Sequence, residues 1–124
     1  MVDASPEIGL THTVTTIVTP DTSPPHLAPV VVLATPTMIW LMEQASTEAV
    51  QPVLDSSGKT TVGTHIDVSH EAAAREGDEV TVTAMLAAVD GPRLNFEVEA
   101  RVGQKLIGRG THRRHVVERS RFGL

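Results

Sequence analysis

The stretch from Ala34 to Ala49 sets the strongest constraint on the fold, because Met38, Ile39, Leu41, Met42, Ala45 and Ala49 recur at three- and four-residue steps. Apolar groups at that spacing line most of a helix surface, and such a helix has to be covered. Thr35 and Pro36 mark its start. The threonine hydroxyl is expected to cap the first turn, and a proline suits the first helical position, where no amide donor is needed. Glu43 sits inside the apolar pattern. A carboxylate there needs a partner or a water-filled cleft. Two readings stand: a residue on the polar edge of the helix, level with Thr47, or a carboxylate held in a cleft as base or nucleophile.

The remainder of the chain reads as strands. Residues from about Gly9 to Val18 alternate and are rich in Thr and Val, which suits a half-buried strand ending at Pro20. The segment 21–29 holds three prolines and is expected to be a loop, followed by the short apolar run Val30 to Leu33 beside the helix entrance. After Gln51-Pro52, expected to stop the helix, Asp55 to Gly58 is a turn cluster. Lys59 to His70 then alternates, with Val62, Ile66, Val68 and His70 on one side and Thr61, Gly63, His65 and Asp67 on the other. By that parity His70 faces the helix.

Two more strands are expected over Glu79 to Val89 and Leu94 to Val102, and a last one over about Lys105 to Val117. Gly108 and Gly110 in the last allow a bulge or a close backbone approach. Short turns between successive strands imply an antiparallel sheet. The fold class is therefore α+β: about five antiparallel strands on one long helix, in a single domain spanning residues 1–124. Sheet edges left over could pair between two subunits.

Composition narrows the function. A chain of 124 residues, 40% hydrophobic, builds only a modest core of its own, and dimerisation would add to it. Cysteine is absent, which removes disulfides and thiolate metal sites and fits a reducing compartment. The first residues lack a basic region followed by an apolar core, and no apolar run approaches the roughly 20 residues that span a bilayer. The expectation is a soluble cytoplasmic protein with no membrane partner. A net charge of −5 and a single Trp, two Phe and no Tyr leave no surface for nucleic acid. Arg109, Arg113, Arg114, Arg119 and Arg121 still cluster near the C-terminus, as a patch for small-ligand phosphates or as a solvated strand end.

Metal chemistry has little support, since His65 and His70, and likewise His112 and His115, are an odd number of residues apart and would face opposite sides of their strands. There is no Gly-x-Ser-x-Gly elbow and no phosphate-cradling glycine loop. What remains is a hydroxyl, a carboxylate and an imidazole: Thr35, Glu43 and His70, a set suited to acyl transfer if it converges on one cleft.

These residues also carry a family likeness. Ala34-Thr35, Leu41-Met42-Glu43, the run Gly63-Thr64 with Ile66, Val68 and His70, and Gly110-Thr111-His112 with Arg114 together resemble the hot-dog-fold fluoroacetyl-CoA thioesterases. The likeness extends from about Ala34 to Phe122 and is looser before it. It implies a hot-dog homodimer whose sheets join edge to edge, with coenzyme A, part of the substrate rather than a cofactor, along the subunit interface. It implies Glu43 as nucleophile or base, Thr35 as a hydrogen-bonding group and His70 as a proton-transfer group. Gly63 would offer its amide to the thioester oxygen, and Arg114 would lie near the site or the coenzyme A phosphates. One feature departs from that pattern: residues 19–34 carry no Phe, Tyr or Trp where the family's namesake has an aromatic lid. A small or otherwise different acyl group is the expectation, with Trp40 shaping the pocket. A non-catalytic acyl-CoA-binding module and an enoyl-CoA hydratase or dehydratase are the competing readings on the same fold.

Overall fold

The computed structural model describes residues 5–124; the first four residues, part of the segment tested above for a leader, lie outside it. Five strands and one helix make up the architecture: β1 Thr11–Ile17, α1 Thr35–Leu54, β2 Lys59–His70, β3 Glu79–Asp90, β4 Arg93–Val102 and β5 Lys105–Glu118. The sheet order is β1-β3-β4-β5-β2 and every pairing is antiparallel, so β1 and β2 are the edges. The α+β expectation therefore holds, with α1 lying across one face of the sheet. No helix among the described residues is long and apolar enough to cross a membrane.

Alternation explains which face the helix covers. Val80, Val82, Ala84 and Leu86 of β3 and Leu94, Phe96, Val98 and Ala100 of β4 are buried, while their odd-numbered neighbours turn outward. They meet Met38, Leu41, Met42, Ala45, Ala49, Val50 and Leu54 of α1 in one continuous core. Full burial of a side chain such as Phe96 or Met42 stabilises by about 1.5–3 kcal/mol, so this layer contact dominates the folding of so small a chain.

Three local expectations need correction. Ala34, not Thr35, is the N-cap of α1; Thr35 and Pro36 fill the first two helical positions and no side chain caps the end. The Thr35 hydroxyl is engaged elsewhere, on His70. Pro52 does not stop the helix, which runs on to Leu54. Its missing amide costs one bond in the last turn only, and Gln51 ties that turn to β2 by donating to the Lys59 carbonyl at 2.9 Å. The parity of β2 is also broken. A register shift between Gly63 and His65 marks a β-bulge, so Thr61 and Gly63 face inward before it, and Val68 and His70 after it. Strict alternation had put Val62 inside; Thr61 is the buried residue.

The proline-rich segment is a loop, as its composition implies, with single 3-10 turns at Pro20–Thr22 and Pro25–Leu27. Beyond it Val32 makes an isolated antiparallel bridge to Arg75, and Leu33 is buried, which brings the chain to the mouth of α1.

Candidate active site

The bulge in β2 and the pitch of α1 place two groups of polar side chains on the covered side of the sheet. The first joins the helix mouth to the end of β2: Thr35 Oγ1 lies 2.7 Å from His70 Nδ1. Parity after the bulge turns His70 toward α1, and its Nε2 is buried with no hydrogen-bond partner among the described residues. That ring is held on one nitrogen and unengaged on the other.

The second group surrounds Glu43. Two turns along the helix from Thr35, its side chain is about one-third exposed and sets Oε1 3.5 Å from Arg114 Nη1. Beneath it lies Gly63. A Cβ there would come within 2.7 Å of Glu43 Oε1, 3.2 Å of Arg114 Nη1 and 3.4 Å of His112 Cε1, so only glycine leaves the carboxylate room to lie on the strand. Register explains the meeting, since Gly63 is paired with Arg114 across β2 and β5.

Arg114 is 7% exposed and does not join a surface patch. From Gly108 onward the even-numbered residues of β5 face the helix, so it points inward, and its charge is met on three sides. Nε donates to Thr61 Oγ1 at 2.7 Å, Nη2 to the Thr61 carbonyl at 3.1 Å, and Nη1 to His112 Nε2 at 3.2 Å as well as toward Glu43. Burial pulls the guanidinium pKa down from its ordinary value, and the Glu43 carboxylate opposes that shift. The other arginines turn elsewhere: Arg109 pairs with Glu71 at 3.2 Å, and Arg113 donates to Asn95 at 3.3 Å. The sequence cluster is thus divided between the interior and the outer surface.

His112 is 2% exposed, packed against Phe96 with ring centroids 6.3 Å apart. Its Nδ1 is 2.7 Å from the His65 carbonyl. Burial lowers its pKa first; the bond to His65 works against that, and the Arg114 charge adds to the lowering. The lowered pKa disfavours the charged ring, so its 4.0 Å approach to Glu43 adds little as an ion pair.

Thr35 and His70 are thus in contact, as are Glu43, Gly63 and Arg114, but no hydrogen bond joins the two groups among the described residues. Eight residues of helix separate Thr35 from Glu43, a rise of about 12 Å. Trp40 is 63% exposed in the single chain. Two surface cavities of about 670 and 770 Å³ lie elsewhere, one beside Leu54, His115 and Phe122 and one beside Met85, Glu97 and Arg109. Among the described residues no cluster of His, Asp or Glu could hold a metal ion. His112 and Thr61 were not singled out as site residues from the sequence. The even spacing of His112 and Arg114 on one strand carried the signal for the first, whereas the bulge concealed the second.

Comparison with known proteins gives the family and the fold. Residues 14–120 match the family model FlK, fluoroacetyl-CoA-specific thioesterase. A fluoroacetyl-CoA thioesterase of Streptantibioticus cattleyicolor is 45% identical over 91 residues, 73% of this chain and 65% of that protein's length. The chain thus matches just under two-thirds of that relative. The solved structure of the fluoroacetyl-CoA thioesterase FlK superposes with a TM-score of 0.83 at 38% identity, covering 94% of this chain and 92% of the other. A Thermus thermophilus hypothetical protein, described as a thioesterase superfamily member, gives 0.86 at 28% identity over 96% and 89% of the two chains. This chain belongs to the fluoroacetyl-CoA-specific thioesterase family, with the hot-dog fold of a five-stranded antiparallel sheet on one long helix.

Proposed function

We propose that the protein is an acyl-CoA thioesterase that hydrolyses the thioester of a small or medium acyl-CoA with Glu43, Thr35 and His70 as its catalytic residues. The observation that carries this reading is the Glu43 carboxylate, seated on Gly63 and faced by the buried Arg114. A carboxylate oriented by a fixed cation, and still about one-third exposed, can reach a thioester carbonyl as nucleophile or activate water as base. Gly63 supplies backbone beside it, where an amide could stabilise the developing oxyanion. Arg114 serves the carboxylate rather than the coenzyme A phosphates, because it is buried and four of its five N–H donors are directed at Thr61, His112 and Glu43. The Thr35–His70 pair supplies a proton for the departing thiolate, with the unengaged Nε2 as the second proton site of the ring. No cofactor is required; coenzyme A is part of the substrate, and a FlK variant has been solved with fluoroacetate and CoA.

The separation of the two groups favours a homodimer. β2 is an edge strand, and antiparallel pairing of two copies about an axis through its middle sets the early part of one strand against the late part of the other. Gly63 of one chain would then lie across from the partner's Ile66, about four residues along the seam from the partner's His70, so both groups would line one interface. Coenzyme A would run along that interface, and the enzyme would work in the cytoplasm, where acyl-CoA is made and used. The absence of aromatic residues from 19–34 supports a preference not tied to fluoroacetyl-CoA.

Release of free thiol from a panel of acyl-CoAs by wild type, Glu43→Gln and His70→Ala tests the assignment. Turnover by wild type that both substitutions abolish supports it. Tight coenzyme A binding with no turnover by wild type would replace it with a binding module.

A further inference from the structure

His112 lies beside the site, yet the chemistry above gives it no step. Its two ring nitrogens face groups of opposite kind. The His65 carbonyl at Nδ1 can only accept, and the Arg114 guanidinium at Nε2 can only donate. Both neighbours therefore demand the same state, a neutral ring with hydrogen on Nδ1 and a lone pair on Nε2. Phe96 packs against the ring, centroids 6.3 Å apart and planes tilted by 31°, and the residue is 2% exposed. The charged and titratable groups that face the ring are Arg114 on its own strand, Glu43 from α1 and His65 from β2.

Arg114 shows what this arrangement accomplishes. Nε and Nη2 are anchored on Thr61, an edge about which the guanidinium plane can still tilt. Nη1 has two hydrogens. One meets His112 Nε2 at 3.2 Å, and this directs the other toward Glu43 Oε1 at 3.5 Å. Resting on the reading of Glu43 as the reacting carboxylate, we propose that His112 is a positioning residue: locked as a neutral acceptor by the His65 carbonyl, it aims Arg114 at Glu43 and so fixes the carboxylate over Gly63.

The two nitrogens can be tested separately. His112→Gln can place an amide oxygen near the position of Nε2, keeping an acceptor for Arg114 while losing the bond to His65. His112→Asn reaches only as far as Nδ1, keeping the His65 bond and losing Arg114. Kinetics on the acyl-CoA that wild type turns over, with melting temperatures for each variant, decide between roles. The expected order is a kcat within about threefold of wild type for His112→Gln and at least about tenfold lower for His112→Asn, with KM within about twofold for both, the scale of loss associated with misplacing a reacting group. A purely structural role would instead make kcat follow melting temperature. Equal losses in the two variants, or a more active His112→Asn, would overturn the proposal. Should His112→Asn not fold, a loss above tenfold in His112→Gln overturns it, and retention within threefold upholds it. Glu43→Gln serves as the reference. If that variant keeps wild-type activity, the reading of Glu43 fails and the proposal fails with it; if it is inactive while the His112 order is reversed, only the positioning role fails.

Discussion

Gly63→Ala separates catalysis from folding in one substitution. The added Cβ would stand 2.7 Å from Glu43 Oε1, about 0.7 Å short of the 3.4 Å at which ordinary contact begins. The contact atom is the tip of a side chain that is about one-third exposed, so the carboxylate can swing aside. Overpacking commonly costs about 1–3 kcal/mol, and an end group free to move puts this case near the lower bound. Replacing a strand glycine recovers part of that cost. The expected loss of stability is about 1 kcal/mol, a fall in melting temperature of roughly 4 °C for a domain of this size. Activity should suffer more. A displacement approaching 1 Å of a reacting group can lower the rate on the order of 100-fold, so kcat should fall by about 10- to 100-fold. Steady-state thiol release and a thermal melt on the same preparation read both quantities. Gly110→Ala is the contrast: its Cβ would meet backbone, including Val68 Cα at 2.6 Å, which cannot swing away. It should lower melting temperature far more than Gly63→Ala does. Wild-type kcat in Gly63→Ala, or a kcat loss fully matched by unfolding, would refute the placement of the carboxylate on Gly63.

Thr35→Val removes the hydroxyl that meets His70 but no helix cap. It should change stability by less than about 1 kcal/mol while lowering kcat, and Thr35→Ser should restore the rate; a large stability loss in chemical denaturation would reinstate the capping role. Arg114→Lys breaks the paired contacts to Thr61 in a buried site. A stability loss of about 2–4 kcal/mol is expected, and an unchanged denaturation midpoint would contradict the clamp. His112 gives a pH dependence. Its pKa is lowered in the folded chain, so below about pH 6.5 the unfolded chain binds a proton that the folded chain refuses. Stability should decline as pH falls below that value, by up to about 1.4 kcal/mol per unit from this one group, until the folded ring also protonates. In His112→Gln this contribution disappears; an unaltered slope between pH 6.5 and 5 would argue that His112 is not the group responsible.

The long-range pattern was readable because it rests on periodicity. Buried Val80 to Leu86 and Leu94 to Ala100 follow simple alternation, and the helical spacing from Met38 to Ala49 gave α1 and most of its buried face, Ile39 being only half-buried. The failures sit where one local interaction outweighs a propensity. Thr35 is a good cap by type, yet its hydroxyl is better used 2.7 Å from His70, and Ala34 takes the cap position by backbone alone. Pro52 usually ends a helix, but in a last turn it removes a single bond. The bulge after Gly63 has no signature beyond the glycine itself, and missing it exchanged Thr61 for Val62 on the inner face. Candidate residues Thr35, Glu43, His70, Gly63 and Arg114 were visible as a pattern. Their division into two groups was not, because separation along a helix and a strand is a three-dimensional fact. The same holds for Arg114: in the sequence it is one of five clustered arginines, and only its strand parity sends it inward.

The proposed role of Glu43 as the reacting carboxylate stands or falls on the rate of acyl-CoA hydrolysis by Glu43→Gln. The substitution keeps the shape of the side chain and removes its charge, leaving Arg114 held by Thr61 and His112. Glu43→Gln should fold, with a kcat for its best acyl-CoA lower by at least about 1,000-fold, in the range expected for loss of a nucleophile or general base. A folded Glu43→Gln that releases thiol within about threefold of the wild-type rate would contradict it.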